Sequence, residues 1–154
     1  MKISDLVRPE LIRLGGNWTT KEQVIGELVD ILDVNGYLNS REAFYTDIMD
    51  RESQITTGLS DGIAIPHARS GGVKKPTVCV GRSKIPIEWQ TLDGKKVELI
   101  FLIAVPRSNE NNLHLKVLSQ LAVRLVDVDF RQALNAAKNA DEIITLLNSE
   151  GDEL

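Results

Sequence analysis

One cysteine and two histidines are all that 154 residues hold of the side chains most often used for metal binding and nucleophilic chemistry. The lone Cys79 excludes an internal disulfide and fits a reducing compartment. His67 and His114 lie too far apart in sequence, and too far from Cys79, to give zinc-ligand spacing, so neither a metal nor a cofactor is expected. No apolar run reaches the roughly 18 residues that span a bilayer. The start, MKISDLVRPE, carries charges where a signal peptide needs an apolar stretch. A cytoplasmic protein with no membrane insertion is the expectation. Positive charge is not in excess either: 18 Lys and Arg face 22 Asp and Glu, a formal net charge of −4, so no nucleic-acid footprint is expected. No GxxxxGK[ST] or GxGxxG motif supports ATP or dinucleotide binding, and no serine sits in a nucleophile elbow. Linkers, repeats and low-complexity segments are also missing, which leaves a single domain over 1–154.

With 42% hydrophobic residues the chain can bury a real core, and its pattern alternates strand and helix. The segment 10–15 reads as a short strand. TTKEQVIGELVDILDVNG reads as an amphipathic helix capped by Thr19 or Thr20, with Val24, Ile25, Leu28, Val29, Ile31 and Leu32 inward and Gly36 as its stop. A second helix spans about Ser40 to Glu52, with Phe44 and Ile48 on its apolar stripe. Strands follow at IAIP, 77–85 and 97–106, the last apolar on both faces. Helices close the chain at about 113–126, 129–137 and 141–149, after a polar loop ending in Asn111 and Asn112 as caps. The fold class is α/β, a central sheet with helices on both faces.

Three residues stand out against this frame. His67 follows Pro66, which fixes the chain's exit from a strand, so the imidazole is expected in a loop at a strand's C-terminal end, where α/β sheets place ligands. Continuing the Phe44–Ile48 stripe by a turn lands on Arg51, an inward guanidinium that suits an anion or, alternatively, the helix C-terminal dipole. His114 shares a face with Leu118, Leu121 and Leu125 at a helix start, where the positive dipole end keeps an imidazole neutral. Spacing alone leaves His67 open between nucleophile and idle loop residue, and His114 between ligand and buried structural histidine. Together the three suggest a phosphoryl or acyl site, one imidazole attacking while the other and the guanidinium hold oxyanions. Cys79, between Val78 and Val80, reads as core packing.

At "DRESQITTGLSDGIAIPHARSGGVKKPTVCVGRS", "LDGKKVELIFLIAVP" and "HLKVLSQLA" the chain resembles the enzyme IIA domains of the fructose/mannitol class of the bacterial phosphoenolpyruvate-dependent sugar phosphotransferase system. That resemblance implies a three-layer α/β/α domain around a mixed β-sheet. It implies that His67 takes a phosphoryl group through Nε2, with Nδ1 held by backbone. The donor would be the phosphocarrier HPr, and the acceptor a separate IIB protein coupled to a membrane IIC. Arg51 and His114 would hold the phosphoryl oxygens, with Thr57 and Ser108 as weaker candidates for further hydrogen bonds. Ala68 in "PHAR" leans toward the fructose-type branch. "TTGLSDG" departs from the commoner "STGIGNG" and is expected to put Ser60 and Asp61 beside the site. A phosphocarrier role in sugar uptake, handing the group to IIB, is the leading expectation. A nitrogen-type regulatory IIA is the alternative, and a non-catalytic binding module a third, disfavoured by the intact triad.

Overall fold

The computed structural model describes residues 2–108, 112–149 and 154. Two short 3-10 helices, Ile3–Leu6 and Pro9–Leu11, lead into strand β1 (Ile12–Gly16). Pro9 at the start of the second turn delays the strand by two residues relative to the sequence pattern. Helices α1 (Lys21–Val34) and α2 (Arg41–Gln54) follow, then β2 (Ile63–Ala64), β3 (His67–Ser70), β4 (Thr77–Ile87) and β5 (Val97–Pro106). Helices α3 (Leu113–Arg124), α4 (Val128–Ala136) and α5 (Ala140–Ser149) complete the order.

Both early helices start where their caps direct. The Thr20 hydroxyl accepts the Gln23 N–H at 3.2 Å, while the Gln23 side chain accepts the Thr19 N–H at 2.7 Å. Ser40 caps α2 by accepting the Ala43 N–H. At α3 the expected asparagine cap does not form: Asn112 adopts a left-handed φ of 50° and its side chain makes no cap bond. Asn111 lies outside the described residues.

The sheet runs β1-β4-β5, with β2 and β3 in succession along the outer side of β5. β4 and β5 pair antiparallel, and the other pairs are parallel, so the sheet is mixed. Because side chains alternate along a strand, β5 feeds two cores at once. Leu99, Phe101, Ile103 and Val105 pack on one side with α3, α4 and α5 residues such as Val117, Leu134 and Ile143. Ile100, Leu102 and Ala104 pack on the other side with Leu28 of α1 and Phe44 of α2. This is the three-layer α/β/α arrangement around a mixed sheet. Cys79 belongs to the second core, where burial pushes its thiol pKa far up, as expected for packing rather than chemistry.

The expected histidine loop is instead a strand. His67–Ser70 pairs with Ile103–Pro106 of β5, so the imidazole opens β3 directly after a two-residue corner, Ile65-Pro66. The backbone there is held by the ladder. Ala68 faces the α1–α2 core, which directs His67 and Arg69 to the α3 side.

Candidate active site at the His67 corner

The imidazole sits where the sheet edge meets the end of α2 and the start of α3. His67 is only 7% exposed, and its Nδ1 lies 2.8 Å from the Ile65 carbonyl. A carbonyl only accepts, so Nδ1 carries the proton and Nε2 holds the lone pair. Burial lowers the His67 pKa first of all, and the Arg51 charge lowers it further. The Ile65 carbonyl and the charge of Glu52 pull the other way without reversing the direction. The ring is therefore neutral near pH 7, with the Nε2 lone pair free.

Arg51, His67 and His114 line one cavity of about 500 Å³, together with Arg69 and Arg107. Arg51 comes from the last turn of α2 and donates to the Ile55 carbonyl at 2.8 Å, just past the helix end. It thus contacts the backbone at the helix end while also lining the cavity. Its place on the stripe needs correction, because the buried line continues from Phe44 and Ile48 to Glu52, with Arg51 half-buried beside it. A step of four residues, not three, keeps the inward face here.

His114 lies in the first turn of α3 and is partly buried, with Nδ1 sealed from solvent and without a hydrogen-bond partner among the described residues. Its pKa is lowered, chiefly by burial and then by His67 and Arg69. The neutral ring is as expected, but two neighbouring cationic or ionisable groups stand among the causes. Arg69 carries no motif signal, and its two-residue spacing from His67 along β3 puts it on the same strand face.

The weaker candidates lie elsewhere. The Thr57 side chain is buried behind the corner, its hydroxyl donating to Glu52 Oε2 at 2.5 Å. Ser108 is exposed in the turn after β5 and is not in the cavity wall. Ser60 and Asp61 are not beside His67. Ile63 pairs with Leu99 and His67 with Ile103, four β5 residues apart, or about 13 Å. Asp61 precedes Ile63 at that far end, lines a separate cavity, and faces Lys95 at 3.9 Å and Arg131 at 3.7 Å. Its charge is answered there, away from the His67 cavity.

Residues 5–150 match the family model for the phosphoenolpyruvate-dependent sugar phosphotransferase system, EIIA 2. The chain belongs to this EIIA family. It is therefore a phosphotransfer domain, and its relatives agree. It is 41% identical over 148 residues to the fructose-specific EIIABC component of Bacillus subtilis (strain 168), covering 96% of this chain and 23% of that one. It is 36% identical to the fructose-specific EIIA component of Haloferax volcanii, covering 94% of each. The nitrogen regulatory protein IIA-Ntr of Neisseria meningitidis superposes with a TM-score of 0.87 at 32% identity, covering 95% of this chain and 99% of that one. The chain spans less than a quarter of the length of the first curated relatives it matches. Sheet and layers are those of an EIIA domain of the fructose/mannitol type. Among the described residues no helix is long and apolar enough to cross a membrane, and no acidic, histidine and cysteine side chains cluster as a metal site.

Proposed function

We propose that His67 is the phosphoryl-carrying residue of a single EIIA domain, accepting from a phosphohistidine of an HPr-type carrier in the cytoplasm. The observation that carries this is the Ile65 carbonyl on Nδ1, 2.8 Å away. It fixes the tautomer that leaves Nε2 free, and it steadies the positive charge the ring gains as the new N–P bond forms. In the transfer the donor's N–P bond breaks as the bond to Nε2 forms, and the donor imidazole recovers its lone pair. Phosphoryl transfer asks little more of the protein than alignment and charge stabilisation. Arg51 opposes the phosphoryl oxygens, and His114 offers a neutral ring at the same cavity. Exposed Leu115 in the cavity wall and exposed Ile55 beyond α2 suit a transient partner face with a polar rim.

For the onward step, the structural likeness to IIA-Ntr over nearly the whole of both chains favours a regulatory role, in which the phosphorylation state of His67 is read by partner proteins. Delivery to a IIB protein serving a membrane IIC is the second reading, favoured by the fructose-specific relatives and by Ala68. Incubation with phosphoenolpyruvate, enzyme I and HPr is expected to add one acid-labile, base-stable phosphate. None is expected on His67→Ala, and equal uptake by that variant would refute the assignment. Offering the phosphorylated protein to a panel of purified IIB domains separates the two onward readings: efficient transfer to one of them supports sugar delivery, and transfer to none supports regulation.

A further inference from the structure

We infer that Glu52 is a positioning residue for His67, a buried carboxylate that sets the corner from which the imidazole is presented. The inference rests on His67 being the phosphoryl carrier. Glu52 is 4% exposed, and a charge that deep is costly unless its oxygens are satisfied. Every group that faces them is a donor. The Thr57 hydroxyl bonds Oε2, and the Thr57 N–H bonds Oε1 at 3.2 Å. Trp89 Nε1–H also reaches Oε1, at 3.1 Å, and Lys21 Nζ stands 3.6 Å away. An acceptor-only carboxylate is the side chain this set fits.

The connection runs onward from Thr57. Its carbonyl accepts the Ile65 N–H at 3.0 Å, and the Ile65 carbonyl accepts the His67 Nδ1–H at 2.8 Å. Ile65 and Pro66 lie in the gap between β2 and β3, outside both strands, and proline has no N–H. The Ile65 N–H is thus held by Thr57, and Thr57 by Glu52. Glu52 is also the neighbour of Arg51 on α2. One residue therefore registers the guanidinium and the imidazole against each other, and small misplacements of reacting groups cost rate steeply. A purely structural glutamate would hold α2 to the 56–58 segment and change stability alone.

Glu52→Gln and Thr57→Val test this, with Thr57→Ser as the conservative rescue. Each is checked for folding by circular dichroism, then read in two ways. Single-turnover phosphoryl acceptance from phosphorylated HPr is expected to slow at least tenfold in Glu52→Gln and about threefold in Thr57→Val, with the concentration of donor at half-maximal rate unchanged and Thr57→Ser near wild type. Nitrogen-15 NMR of the unphosphorylated protein is expected to show the His67 Nδ1–H tautomer losing population in Glu52→Gln and keeping it in Thr57→Ser. Folded variants with wild-type rate and wild-type ring signals overturn the inference, whatever their stability. Should Glu52→Gln not fold, the Val and Ser pair at 57 decides by the same criteria. Wild type run in parallel separates this from the parent reading: if it takes no phosphate on His67 that reading fails, and the tautomer measurement alone judges Glu52.

Discussion

Adding one methyl group at Gly58 should do more damage than any other alanine substitution of a glycine in the loop ahead of His67. An ideal Cβ there would stand 2.2 Å from the Gln90 carbonyl oxygen, 2.8 Å from Thr91 Cγ2 and 3.0 Å from Trp89 Cδ1. The nearest atom belongs to backbone, so no rotamer change relieves it. Relief needs about 1 Å of separation between the 57–59 segment and the 89–91 segment. Those segments are joined by the Thr56 hydroxyl bond to the Gln90 carbonyl at 2.6 Å and the Leu92 N–H bond to the Leu59 carbonyl at 2.9 Å. Overpacking of this kind costs about 1–3 kcal/mol, and a backbone obstacle puts Gly58→Ala at the upper end, about 3 kcal/mol. For a chain of this length that corresponds to a fall in Tm of roughly 6–12 °C. Gly26→Ala is the internal control of opposite sign. Mid-helix in α1, its new methyl would approach only Tyr45 Cε2, at 3.9 Å, and replacing a helical glycine gains about 0.5–1 kcal/mol. Urea unfolding of both variants at pH 7.5, with equal m-values as the two-state check, gives the comparison. Gly58→Ala within 0.5 kcal/mol of wild type, on the order of an ordinary surface change, would refute the packing argument for this loop.

The cavity residues and the protonation of the site give the other expectations. Arg51→Lys keeps the charge but loses the planar fork, so phosphoryl acceptance should slow roughly tenfold with the fold intact; unchanged single-turnover kinetics would reduce Arg51 to a helix-end contact. His114→Ala should slow the same step without moving the phosphorylation site, as mapped by mass spectrometry at neutral pH. Stability should also fall on mild acidification. His67 and His114 both have folded-state pKa values below the ordinary 6.5, burial being the first cause in each. As pH drops below 6.5 the unfolded chain takes up protons that the folded one refuses, so unfolding free energy declines until the lower folded values are reached. Unfolding free energies measured from pH 7.5 to 5 should show that slope, reduced in His67→Ala, and a slope equal to wild type in the variant would contradict the buried neutral ring.

Much of the frame was legible because its signals are periodic. β5 reads as apolar on both faces, and it lies between two cores; α1 shows its stripe and its cap, and both form as expected. The site was less legible in proportion to how far its geometry depends on pairing. His67 looked like a loop residue because proline and two glycines surround it. What makes His67–Ser70 a strand is the ladder to Ile103–Pro106, a contact the local sequence does not contain. Arg51 reaches the His67 cavity from beside the stripe and not on it, since helical geometry leaves the third and fourth residue on nearly one face and the donors from Thr57 and Trp89 hold the fourth, Glu52, inward. Asp61 looked close to His67 because six residues are few, but along extended chain they reach the other end of the sheet.

The resulting site is shared between two layers of the fold, and that explains where its rigidity must come from. His67 belongs to the sheet edge, while Arg51 is carried by a 14-residue helix about 21 Å long. A helix that long presents its last turn accurately only if both ends are seated. At the first end, α2 lies so close to the turn after β3 that a Cβ on Gly72 would come within 2.7 Å of the Phe44 nitrogen and the Ser40 oxygen. The Gly72 carbonyl in turn accepts the Asn39 N–H at 2.7 Å. Midway along the helix, the Ser70 hydroxyl donates to Asp47 at 2.5 Å. At the last turn Glu52 takes hold of Thr57, and through it the His67 corner. Gly72 and Ser70 sit on the β3 side of that clamp, and β3 begins with His67 itself. The guanidinium and the imidazole are therefore held in register by contacts at both ends of β3, which lets a cavity with exposed walls keep a fixed geometry for phosphoryl transfer.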